Sequence, residues 1–275
     1  MKKQILTYSL IAYSITWLIA FGIFFLFEKG ELSRYQLNLF HSFAAIGPTI
    51  GALVTTYLFY GKEGVIKLVD KLRFIIPTKK SLLFILSPLL FFVVGLFVYR
   101  AVNDDWYSFQ NFIEDNWSSY KVFLVWILPL LTYAIFEEIG WRGFLLPLLQ
   151  QKYNAWIATI YLTVIWALWH IPFFFYRFDF SPGISFGFFL GIFVGSMILT
   201  SIYNSNKGFL IPVTLFHFLN NFFSGFDKEI IVAVLSTGFV IIAIYIYKKF
   251  GKINLSERER TRNYFKNNNG YQNNP

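Results

Sequence analysis

From Ile5 to Phe27 the chain carries no charged side chain. A helix needs about 20 apolar residues to cross the hydrocarbon of a bilayer, and this run supplies them. Apolar runs of similar length return at about 37–60, 80–100, 120–148, 155–176, 183–203, 208–226 and 229–248. A chain built this way has one economical solution, an all-α polytopic transmembrane bundle of about eight spans. Composition agrees: 14% of residues are charged and 56% are hydrophobic, where a soluble domain carries about 25% charged residues. Nothing here calls for a nucleic-acid partner; the expected surroundings are the lipid bilayer.

The start, MKKQ before an apolar run, resembles a signal peptide. The run is a full span, however, and no small-x-small cleavage site follows, so a retained first helix is expected. With no cysteine in the chain, disulfides, thiolate metal ligands and a cysteine nucleophile are excluded. No internal repeat or domain break is visible. The expected organisation is a transmembrane domain over 1–250, its core at about 40–226, and a polar, disordered cytoplasmic tail over 251–275. Residues 61–74 read either as a short helix in the headgroup layer or as a solvated connector.

Loop charge sets orientation. With the N-terminus inside, seventeen Lys and Arg fall on the cytoplasmic side and six outside, while acids divide four to nine. Both termini are therefore expected in the cytoplasm of a multi-pass cell-membrane protein.

Few ionisable groups remain within the spans: Glu137, Glu138 and Arg142 in FEEIGWRGF, His170 in WALWHIP, and His217 in FHFLNNF, where Asn221 accompanies it. His41 is expected near the membrane interface. Charges in hydrocarbon cost several kcal/mol each unless paired or used, about 3 on insertion scales. Residues at i and i+4 share a helix face, so Glu138 pairs with Arg142, leaving Glu137 free on the face of Gly140 and Trp141. Gly140 would leave room beside the Glu137 carboxylate for a water or a substrate backbone. A buried triad in which both acids share Arg142 is the structural alternative. His217 and Asn221 also share a face. At 1.5 Å per residue, Glu137, His170 and His217 lie roughly 14–22 Å from the cytoplasmic ends of their spans, a common depth that unrelated packing residues have no reason to share.

A carboxylate with an imidazole can take a proton from water, and an imidazole with an amide can bind an oxyanion. Neither G-x-S-x-G nor HExxH is present, which disfavours a serine nucleophile or a zincin helix. Zinc held by Glu137, His170 and His217 remains chemically possible.

The motifs resemble those of the CPBP intramembrane proteases, also called the Abi or type-2 CAAX-protease family. EExxxR is matched by Glu137, Glu138 and Arg142, the aromatic-xxx-His motif by Trp166 and His170 (Phe is commoner at the first position), and HxxxN by His217 and Asn221. GPTIGALV, from Gly47 to Val54, is similar to the family's second-helix stretch. The resemblance implies an eight-helix bundle with a water-filled conical cavity open to the cytoplasm, and an endopeptidase acting on membrane-associated peptides or proteins. It also implies that Glu137 and His170 activate water while His217 and Asn221 bind the tetrahedral intermediate. Glu138, Arg142, Gly140 and Trp166 support the site; Trp166 is expected to serve only as an aromatic wall. Relatives have been described as metalloproteases, but the glutamate-type account needs no cofactor and is favoured. Prenylated CAAX proteins, pheromone precursors and bacteriocins are all compatible substrate classes. The rival reading is a non-catalytic scaffold or bacteriocin-immunity factor of the same fold; a transporter is disfavoured because repeats and interrupted helix pairs are missing.

Overall fold

In a computed structural model, residues 1–178, 181–226 and 229–265 are described, and the described chain is helical with no strand. The elements are α1 (Lys2–Glu28), α2 (Arg34–Ala44), α3 (Ile46–Asp70), α4 (Lys79–Asn103), α5 (Phe109–Trp117) and α6 (Tyr120–Gly140). A π-helical turn, Trp141–Leu145, leads into α7 (Leu146–Gln150). After it come α8 (Ala155–Trp169), a 3-10 turn at Ile171–Phe175, α9 (Pro182–Ser205), α10 (Ile211–Phe223) and α11 (Ile230–Asn254).

Seven helical stretches among the described residues are long and apolar enough to cross a membrane. The eighth expected span is α10, whose 13 residues reach only about 20 Å, short of the ~30 Å hydrocarbon thickness. It is largely enclosed by its neighbours: Pro212, Val213, Phe216, His217 and Phe223 are buried. The run expected at 37–60 divides at Ala45 into α2 and α3.

Apolar helices gain little from hydrophobicity when lipid surrounds them; close van der Waals approach of small residues does the packing. Helix α1 buries Tyr8, Ala12, Thr16 and Ala20, four residues apart, on one stripe. Gly47 and Gly51 of α3 face that stripe, and a Cβ on Gly51 would lie 3.1 Å from the Tyr8 carbonyl. The Thr16 hydroxyl donates to the Ala44 carbonyl at 2.7 Å. The other side of α1 exposes Leu6, Leu10, Leu18 and Phe25, as a lipid-facing surface should.

Gly61 adopts φ 64°, ψ −166° and breaks α3, a positive φ that glycine takes without steric penalty. The short segment after it buries Leu68 and exposes Ile66 and Val69. That segment is helical, as the spacing of residues 61–74 predicts, and one side is packed on the bundle.

Gly140 ends α6 where three elements meet. A Cβ there would fall 2.5 Å from Pro48 Cβ and 2.6 Å from the Tyr8 hydroxyl. The space beside Gly140 therefore belongs to α1 and α3, and does not hold a water or substrate as the sequence reading supposed. Gly140→Ala is expected to lower stability by about 1–3 kcal/mol through overpacking, whereas Gly22→Ala, where nothing lies within 4 Å, should be neutral. Thermal unfolding of the two variants in detergent checks this.

The expected disordered tail needs correction up to residue 265. Residues 251–254 continue α11, and the chain beyond lies across the end of the bundle that holds Gln150 and Asn204. Thr261 N donates to Asn204 Oδ1 at 3.0 Å, Gln150 Nε2 donates to the Thr261 carbonyl at 2.8 Å, and Arg260 Nε donates to the Gln150 carbonyl at 3.2 Å. Phe265 is buried and stacks on Tyr60. Gln150 and Asn204 are buried amides that also bond each other; the polar segment supplies partners they would otherwise lack. Residues 266–275 of the expected tail lie outside the described residues.

Candidate active site

The two glutamates close α6, and the backbone then widens into the π turn, with Leu146 N–H bonding the Trp141 carbonyl. Pro147 has no N–H to offer the Gly143 carbonyl one turn back; the Tyr264 hydroxyl donates to it at 2.5 Å. Helical spacing carries through the first part of the motif. Trp141 Nε1 donates to Glu137 Oε2 at 3.1 Å, and Arg142 Nη1 donates to Glu138 Oε1 at 3.0 Å. The pairing of Glu138 with Arg142 is the one the i, i+4 geometry predicts. Both acids and Arg142 are at most 1% exposed.

His170 owes its orientation to the end of α8. Pro172 cannot continue the helix, and the His170 N–H bonds the Ala167 carbonyl at 3.1 Å in a tightened last turn. The Trp166 carbonyl, its α-helical partner, is instead met by His170 Nδ1 at 2.8 Å. A carbonyl only accepts, so Nδ1 carries the proton and Nε2 keeps its lone pair. This is the tautomer a general base requires.

Trp166 is the hub. Its Nε1 donates to Glu137 Oε2, its ring lies 5.8 Å from that of His170 and 5.9 Å from that of His217, and the Arg142 guanidinium sits 4.5 Å above it. Trp166 is more than the aromatic wall its motif position implies; the indole N–H, which a phenylalanine lacks, adds a hydrogen bond to the acid. With Oε2 shared by two indoles, Glu137 Oε1 has no hydrogen-bond partner among the described residues.

The His217 Nδ1 lies 2.8 Å from Glu138 Oε1, so the imidazole is held by the glutamate that also pairs with Arg142. Asn221, one turn further along α10, is half-buried, and its side-chain Oδ1 receives a 3.5 Å bond from Asn220 Nδ2. Arg142 also reaches Ser196 of α9 at 3.4 Å, a contact with no signal in the sequence. Glu138 Oε2 and Arg142 Nε are buried without hydrogen-bond partners among the described residues. His41 is buried rather than exposed at an interface: Nδ1 lies 2.8 Å from the Tyr176 hydroxyl and 3.2 Å from that of Tyr133.

The open conical cavity that the resemblance implies is closed around these groups, with Glu137 at 1% and both histidines at 7% exposure. An apolar groove of about 240 Å³ runs between α6 and α10, lined by Leu131, Ile135, Leu215 and Phe218 among others. It lies between the helices that carry the glutamates and His217.

Among the described residues no three His, Asp or Glu side chains are grouped to hold a metal ion.

Fold and centre together define a class: a multi-pass helical membrane protein with an acid–imidazole cluster closed inside the bundle. Residues 119–223 match the family model described as type II CAAX prenyl endopeptidase, Rce1-like. Over 135 residues the chain is 33% identical to CAAX prenyl protease 2 of Methanococcus maripaludis, an alignment covering 44% of this chain and 48% of the relative; the chain thus spans about half the length of that protein. The family-model match falls on the segment that contains every motif residue from Glu137 to Asn221, so in that segment the chain is similar to the CPBP, Rce1-like proteins.

Proposed function

We propose that this protein is an intramembrane endopeptidase that hydrolyses a peptide bond of a membrane-associated peptide or protein by activating water without a metal. The observation that carries the reading is Trp166: one side chain in contact with Glu137, His170, His217 and Arg142 gathers an acid and two imidazoles from three helices beside a fixed cation. In the mechanism proposed, His170 Nε2 and Glu137 Oε1 hold a water between them and take its proton as its oxygen attacks the peptide carbonyl. Asn221 Nδ2 and the His217 ring donate to the oxyanion, with His217 Nδ1 held on Glu138. The proton then passes to the leaving amine. Each oxyanion donor is worth about 3–4 kcal/mol in comparable enzymes.

The apolar groove between α6 and α10 favours substrates with a lipid-soluble segment beside the scissile bond, whether a prenylated CAAX protein, a pheromone precursor or a bacteriocin. Both termini are taken to face the cytoplasm on the strength of the loop charges.

The test is a comparison of membrane and secreted peptides from cells with wild-type protein and with Glu137→Gln. A product that disappears in the variant supports hydrolysis; an unchanged peptide profile with the full cellular effect retained makes the protein a scaffold or immunity factor. With a substrate in hand, activity is expected to survive exhaustive chelation. Loss on chelation and return with zinc would overturn the metal-free mechanism.

A further inference from the structure

At the end of the bundle that carries the N-terminus, the first turn of α1, the end of the spanning part of α3 and the turn after α7 enclose a cleft of about 650 Å³. Lys2, Lys3 and Lys152 line it, and among the described residues no carboxylate does. None of these three lysines forms an ion pair with any described residue. Three uncompensated ammonium groups around one cleft are an electrostatic demand for an anion.

The floor is built to donate hydrogen bonds. Tyr60 accepts at its hydroxyl from Gln4 Nε2 at 2.7 Å and from Asn263 Nδ2 at 2.8 Å, so its own proton is left over. Asn263 is oriented by the Phe265 N–H on its Oδ1, and its Nδ2 also reaches Gln151 Oε1 at 3.4 Å, which leaves the Gln151 amide N–H groups free to donate. Helix α1 begins here, at Lys2, with no side-chain cap on its first N–H groups; the positive end of a helix that exposes uncapped N–H groups attracts anions.

We propose that this cleft is a binding site for the phosphate of an anionic phospholipid headgroup. A phosphate diester matches the floor, because its two free oxygens accept hydrogen bonds and carry the charge that the lysines lack. Lipid is favoured over free phosphate by what lies beside the cleft. Phe59 forms one wall, and the α1 and α3 surfaces next to it expose Leu6, Leu10, Tyr57 and Leu58, an apolar track along which acyl chains can lie. The inference is independent of the protease reading.

Full-length purified protein in detergent tests it, with thermal unfolding followed by tryptophan fluorescence across titrations of dihexanoylphosphatidylglycerol, dihexanoylphosphatidylcholine and inorganic phosphate. A ligand that binds the native state raises the midpoint in proportion to its saturation. Wild type is expected to respond to the glycerol lipid at concentrations at least about tenfold lower than to the choline lipid, each lysine near anionic lipid being worth roughly a factor of five. Lys2→Gln/Lys3→Gln/Lys152→Gln should abolish that preference, while Lys248→Gln/Lys249→Gln/Lys252→Gln, which removes three exposed charges elsewhere, should keep it. Equal responses to the two lipids, or equal loss in both triple variants, would overturn the site. A response to inorganic phosphate as strong as that to the glycerol lipid would overturn the lipid as its source.

Discussion

Glu137→Gln is expected to reduce peptide hydrolysis by about 10²–10⁴-fold, the range for loss of a general acid–base group, with the unfolding midpoint close to that of wild type. The glutamine oxygen can still accept from the indoles of Trp141 and Trp166, the two contacts that hold this side chain. What the substitution removes is the ability to hold a proton. Glu138→Gln makes the matching control, because the chemistry of the two neighbours differs. Glu138 carries the charge that meets Arg142 and His217 at 3.0 and 2.8 Å, so its amide should lose stability as well as activity. Detergent-solubilised protein with the substrate found by peptide comparison gives the rates, and tryptophan fluorescence gives the midpoints. If the Glu137→Gln enzyme keeps wild-type turnover while Glu138→Gln loses it without loss of stability, the roles of the two acids are reversed.

Local geometry explains why these two acids could be told apart in the sequence. A spacing of four on a helix puts Arg142 over Glu138 and Trp141 over Glu137 whatever the rest of the molecule does, and both contacts are present. The spans were equally readable, since hydropathy over about 20 residues reports a demand of the bilayer itself. Contacts that depend on how one helix is rotated against another were not. His217 shares a depth with Glu137, but depth does not say which of two adjacent carboxylates, about 100° apart, the imidazole will meet; it meets Glu138. Gly140 shows the same limit, for a missing side chain marks a close approach without naming what approaches, here Pro48 and Tyr8. Residues 255–265 are polar enough to read as disordered, and what orders them lies elsewhere in the chain: buried Gln150 and Asn204 need partners, and Tyr60 offers a ring for Phe265.

Arg142→Leu should be the most destabilising single change at the site, by about 3–5 kcal/mol, because removing one partner of a buried ion pair strands the other. Arg142 is fully buried, donates to Glu138 and Ser196, and lies over the Trp166 ring. In its absence Glu138 keeps only His217, and a carboxylate at 0% exposure has no water to compensate it. Leucine fills much of the volume, so packing loss is the smaller part. The electrostatic origin is separable by a double-mutant cycle: Glu138→Gln/Arg142→Leu removes both charges and should be more stable than Arg142→Leu alone, although inactive. A double variant whose loss equals the sum of the two single losses would mean the charges do not compensate one another, and the case for Glu138 as the fixed counter-ion that orients His217 would go with it. A double variant at least as stable as wild type would show that the pair is kept at a net cost to the fold, which is reasonable only for a bundle that needs a charged, preorganised centre beside Glu137.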